Sequence, residues 1–255
     1  TAAGLKKEED PKIIHRGLEL GRVIPHELAP IGVDLKIFLQ YFLRVFACHP
    51  LPFYNPTEAL ARDSDNRLLA RGPRFRLSAE MIRDQALAVS GLLSGKMLGA
   101  PVNPPQPKMG VAAAFGSGLD WENSVGEDRY RRGLYTAWRR SNPYPSMITF
   151  DAPSREVCTV RRERSNTPLQ ALVTLNDPVY IEAAQKLSRR IAAVAGSPEE
   201  KLAQGFRWTL VRAPKADEMK PLLALYTKSL ERFSRDAKQA FTVATVPLGA
   251  LAPDA

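Results

Sequence analysis

Between Gly126 and Pro178 the chain carries nine arginines and no lysine, interleaved with aromatic residues and with the proline turn signals SNPYP and DAPS. That is not an ordinary solvated charge run. Guanidinium groups are planar forks that pair bidentately with carboxylates, phosphates and sulfates and stack on aromatic rings, which the point charge of lysine does not do. The stretch is therefore expected to hold its arginines against defined partners, inside the protein or outside it.

Helix start signals surround this stretch. Ser78 can accept from the free N–H groups of a first turn, Glu80 suits the positive end of the helix dipole, and Ile82, Ala86, Val89 and Leu93 supply the buried stripe. Thr167, Pro168 and Gln170 make a capping box with proline at the first helical position, and Ser197, Pro198 and Glu200 repeat it. Asp177 and Pro178 open another helix, with a stripe of Tyr180, Ala184, Leu187, Ile191 and Val194 and a left-handed stop at Gly196. Met219, Leu223, Tyr226, Leu230 and Phe233 mark one more, in which Pro221 predicts a kink or a later start. The runs LYTAW and MITF predict a small β hairpin. Gly95 to Gly118, which includes VNPPQP, predicts a long loop.

Upstream the signals are sparser. Residues 1–31 show no periodicity, Ile37, Tyr41, Phe42 and Val45 are spaced for a short helix between Asp34 and Cys48, and HPLPFYNP must be extended. The predicted fold is mainly α: a helical domain over 61–255 with long loops and a small β hairpin, preceded by a poorly defined segment over 1–60.

At 255 residues the chain can bury one sizeable core or two small ones. Its net charge of +9 favours anionic partners such as nucleic acid, acidic polysaccharide or an anionic membrane surface. Cys48 and Cys158 allow one bridge or two free thiols. No apolar run reaches the roughly 18 residues that span a bilayer. The chain begins at Thr1 without a signal pattern, so it reads as a fragment or a processed product.

Several chemistries lack their motifs. There is no C-x-x-C-H for covalent haem, no G-x-S-x-G elbow and no Walker-type phosphate loop. Two cysteines with His15, His26 and His49 are too scattered for zinc. Nucleic-acid binding is a third and weakest reading, suggested by charge alone, since no recognised motif accompanies the basic patch. Cys158 has Arg155, Arg161 and Arg162 nearby to favour a thiolate, but Val157 and Val160 predict a small buried packing residue. Asp128, Asp151 and Glu156 are candidates for an acid and base pair, or else simply partners of the arginines. The candidate ligand surface comprises Arg129, Arg131, Arg132, Tyr135, Trp138, Arg139, Arg140, Tyr144, Arg161, Arg162 and Arg164, where rings can stack on sugars while guanidinium groups hold acidic substituents. The alternative is an internal network in which the same arginines pin loops to backbone carbonyls.

Two segments, NRLLARGPRFRLSAEMIRDQALAVSG from Asn66 and RGLYTAWRRSNPYPSMITFDAPSREVCTVRRERSNTPLQALVTLNDP ending at Pro178, closely resemble the C-terminal domain of unknown function of large planctomycete proteins that carry haem c domains. The resemblance covers most of residues 57–235. It implies an exported, periplasmic or cell-envelope protein, with haem c confined to upstream domains, no cofactor in this chain, and a role in the breakdown of complex carbohydrate. GLKKEED and GVDLKIFLQYF also look like family sequence, whereas LRVFACHPLPFYNPT and the final FTVATVPLGALAPDA depart from it as a frameshifted or decaying copy would. The expected function is an accessory domain binding anionic or complex carbohydrate through the arginine and aromatic surface. The alternative is part of an envelope enzyme, redox or hydrolytic, acting on polysaccharide.

Overall fold

The computed structural model describes residues 61, 63–65, 67, 76–107, 121–139 and 143–251. The short helix read between Asp34 and Cys48, the segment 1–60 and Arg140 lie outside the described residues. The protein is mainly helical. Seven α-helices are described: α1 (Ala79–Ser90), α2 (Pro145–Thr149), α3 (Pro168–Asn176), α4 (Pro178–Ala192), α5 (Pro198–Leu210), α6 (Ala216–Ser234) and α7 (Ala237–Thr245).

Most of these helices begin where their caps predict. Ser197 accepts from the Glu200 amide at 3.3 Å while its own amide donates to the Glu200 carboxylate at 2.7 Å. The Thr167 amide donates to Gln170 Oε1 at 3.2 Å, and Asp177 accepts from the Val179 amide at 2.9 Å. Helix α6 starts upstream of Pro221, not after it, because the Lys215 amide donates to Glu218 at 2.8 Å and Arg212 grips the same carboxylate with two bonds of 2.7 and 2.5 Å. Ser78 occupies the N-cap position of α1 in extended backbone, but its hydroxyl bonds none of the first-turn N–H groups. Helix α1 ends at Ser90, before the last residue of its stripe, Leu93, with Gly91 capping it in the left-handed region, and α4 stops at Ala192, short of Gly196.

The predicted β hairpin is absent from the described residues. Gly133–Tyr135 forms a 3-10 turn, and MITF lies within and just after α2, whose first residue is Pro145. Proline with its fixed φ nucleates a first helical turn but cannot donate to a ladder, so the PYP signal started a helix where the aromatic content suggested a strand. Among the described residues the β pairing consists of one isolated parallel bridge between Val102 and Thr136.

The main core lies where α1 packs on α4 with α2 against α1 and α3, and it buries Ile82, Ala86, Tyr144, Met147, Phe150, Tyr180 and Ala184 together. A second cluster joins α5 to α6 through Phe206, Met219 and Leu222. Helix α4 ties the layers to the end of the described chain. Gln185 donates to the carbonyls of Val243 and Val246 at 2.6 and 2.7 Å, and Arg189 donates to those of Ala244, Gly249 and Ala250.

Candidate functional site

The arginine-rich stretch divides into an inward half and an outward half. Arg131 is buried and donates to the carbonyls of Leu98 and Ala100, with its guanidinium 3.8 Å above the Tyr135 ring. Arg129 pairs bidentately with Glu182, a carboxylate of α4 with no exposed surface. Arg132 reaches Asp84 of α1 at 3.2 Å. Three adjacent guanidinium groups thereby staple the loop around residues 126–135 to α1, α4 and the turn at 98–100. This is the internal network, and it removes Arg129 and Arg131 from any ligand surface.

The aromatic candidates follow the same division. Tyr144, read as a stacking residue, is a core residue with 1 % of its surface exposed, its hydroxyl donating to the Pro105 carbonyl at 2.6 Å. Its position between two prolines carried it inward with α2. Tyr135 has one face covered by Arg131, and its hydroxyl accepts from the Leu98 amide at 2.7 Å. Trp138 is half-buried, donates to the Ser154 carbonyl at 3.1 Å, and carries the Arg155 guanidinium 4.7 Å above its ring.

The outward half is the loop at residues 153–164. Its neck is closed by Asp151, whose carboxylate accepts from the Ser165 amide at 2.6 Å and from the Ser165 hydroxyl at 2.7 Å. Asp151 adopts φ 61°, a left-handed conformation that aspartate tolerates better than most residues and that reverses the chain out of α2. Gln170 of α3 fills the space behind, donating to the Thr149 carbonyl at 2.8 Å and to the Ser165 hydroxyl at 3.2 Å. The far limb is fixed by Arg162, which donates to both oxygens of Glu80 on α1 at 3.0 and 2.8 Å. Burial raises the Glu80 carboxyl, but a hydrogen bond from its own backbone amide, the Arg162 guanidinium and the Ser78 hydroxyl together hold it below its ordinary range. Between these ties residues 154–164 are exposed throughout, including Arg155, Arg161, Arg162 and Arg164. Arg139 is half-buried beside Trp138.

Cys158 sits at the tip of this loop and is exposed, contrary to the packing role its valine neighbours suggested. Val157 and Val160 are themselves in solvent, so they offer it no apolar setting. The acid and base candidates are not brought together by any described contact. Asp128 accepts from Lys96 Nζ at 2.9 Å, Asp151 closes the loop neck, and Glu156 is exposed on the loop.

A cluster not anticipated from the sequence lies beneath these loops. Arg83 is buried on the α1 face turned to α4, donates to the Arg129 carbonyl at 3.1 Å and leaves Nε and Nη1 without a protein partner. Buried Asp177 lies within its field and that of Ser146 and Glu182; burial pushes the Asp177 carboxyl up to about 6, against the Val179 amide, Arg83 and Ser146, which lower it. Tyr144 and Tyr180 share the cluster, and burial raises both phenols. The available signal was Arg83 itself, one residue from Ile82 and three from Ala86 in an otherwise apolar stripe.

Residues 54–226 match the model of the PSD1 family, proteins of unknown function (DUF1553), and since this is more than half of the chain, the chain belongs to that family. No curated protein and no solved structure matches it.

Proposed function

For this PSD1 family member we propose a non-catalytic accessory role: the loop at 153–164 and the Trp138 edge bind an anionic carbohydrate of the cell envelope. The supporting observation is the pairing of Arg155 over Trp138 beside exposed Arg161, on a loop tied at its neck and both limbs. Stacked guanidinium and indole offer a flat amphipathic edge to a sugar ring, and outward guanidinium groups pair with sulfate or carboxylate substituents. Tethering lowers the conformational entropy lost on binding. The resemblance to C-terminal domains of exported haem c proteins supports the envelope setting.

The test is titration with dextran sulfate and polygalacturonate, with neutral dextran as control. Affinity for the two polyanions is expected to fall steeply as salt rises, because exposed charges are screened over about 8 Å at physiological ionic strength. Arg155→Ala combined with Arg161→Ala is expected to weaken binding about tenfold, the scale of two exposed ionic contacts. Binding that ignores both salt and this variant rejects the proposal.

A further inference from the structure

The outward loop has a property that a purely ionic carbohydrate site does not need. Its tip presents Val157, 73 % exposed, and Val160, wholly exposed, on either side of Cys158, while Arg155 and Arg161 flank the same segment. Singly exposed valines are ordinary on a protein surface. These two are held out by ties on both sides: the Asp151–Ser165 neck, the bond from Trp138 to Ser154, and the Arg162–Glu80 pair. A short apolar tip flanked in sequence by arginines fits a surface that is anionic at its face and apolar just below it.

We infer that this loop docks the domain on an anionic lipid surface, Val157 and Val160 entering the apolar layer while Arg155 and Arg161 hold the acidic headgroups. The inference rests on the anionic-partner reading above and makes that partner surface-borne. Charge complementarity selects an anionic surface: the loop carries four arginines, one of them paired with Glu80 of α1, against Glu156 and Glu163, and the chain has a net charge of +9. Half-buried Trp138, bonded to Ser154 at the base of the loop, is placed for the headgroup level that amphipathic rings favour. Among the described residues no helix is long and apolar enough to cross a membrane.

The experiment uses the full chain with Cys48→Ser, labelled at Cys158 with a polarity-sensitive fluorophore. It is titrated with phosphatidylcholine vesicles, with or without phosphatidylglycerol, and separately with dextran sulfate. Emission is expected to brighten and shift to the blue with the anionic vesicles and to stay unchanged with the neutral ones. The same label at Glu199→Cys in a chain lacking both native cysteines, on the exposed first turn of α5, is expected to stay unchanged throughout. Val157→Asp with Val160→Asp in unlabelled chain is expected to lower vesicle binding about tenfold, read by co-sedimentation, and to leave dextran sulfate affinity within about twofold. Binding of dextran sulfate without a Cys158 shift on anionic vesicles overturns the lipid inference and leaves the carbohydrate reading standing. Failure to bind dextran sulfate removes the anionic-partner reading and this inference with it.

Discussion

Asp177 does two things that oppose each other. Its carboxylate caps α4 through the Val179 amide, and its burial raises its own titration to about 6 from an ordinary 3.8. A folded-state value above the unfolded one means that the native protein holds a proton the unfolded chain has released. Stability therefore rises as pH is lowered through about 6 toward 4, and is lost again as pH rises through about 6. A shift of this size corresponds to roughly 2–3 kcal/mol for a group so deeply buried, at about 1.4 kcal/mol per unit. Urea unfolding at pH 7.5 and pH 5 is expected to show higher stability at the lower pH from this group. Asp177→Asn, which keeps a capping oxygen, is expected to flatten the difference between the two pH values. An identical difference in wild type and variant contradicts it. Glu218, held down at about 2 by Arg212, contributes the opposite dependence only below about 4.5, outside this window. The sequence signalled Asp177 as a cap, since Asp-Pro before an apolar stripe is a local pattern. Its burial was not legible, because that depends on Tyr144, Ser146 and Arg83 arriving from other elements.

At the scale of elements, start signals survived the passage to structure better than strand signals did. Ser197, Thr167 and Asp177 each act within three residues of themselves, so nothing distant can overrule them. LYTAW and MITF looked like strands on aromatic and β-branched content, but a strand needs a neighbour, and the Val102–Thr136 bridge pairs only one residue of the first run. The 3-10 turn at Gly133–Tyr135 is instead shaped by its contact with α1. A Cβ at Gly133 would lie 2.9 Å from Glu80 Cα and 3.1 Å from the Glu80 carbonyl oxygen, and the Gly133 amide donates to Asp84 at 2.5 Å. Backbone cannot step aside as a side chain can. Gly133→Ala is expected to destabilise the protein by about 1–3 kcal/mol, the range for forced overpacking, measured by urea unfolding. A loss below about 0.5 kcal/mol means that the turn and α1 do not meet this closely.

For the whole molecule, the central claim is that one arginine-rich stretch serves two ends: Arg129 and Arg131 build the interior, Arg132 ties the same loop to α1 from the surface, and Arg155 and Arg161 face outward. The sequence showed nine arginines among residues 126–164 facing Glu127, Asp128, Asp151, Glu156 and Glu163, and so required partners from elsewhere without saying which. The partners proved to be Glu80 and Asp84 on α1, Glu182 on α4, and the carbonyls at 98 and 100, all distant in the chain. Arg155 was passed over as a ligand group because its stacking partner Trp138 lies 17 residues away, across α2. The most direct test is the urea midpoint with and without dextran sulfate, for wild type, Arg129→Ala, and Arg155→Ala with Arg161→Ala. A ligand that binds only the folded state raises the midpoint. Arg129→Ala leaves buried Glu182 without its cation and is expected to lower stability by about 3–5 kcal/mol while keeping the rise produced by dextran sulfate. The outward pair is expected to leave the ligand-free midpoint unchanged and to abolish most of that rise. The reverse pattern, with the rise lost in Arg129→Ala and kept in the outward pair, contradicts the division of the stretch.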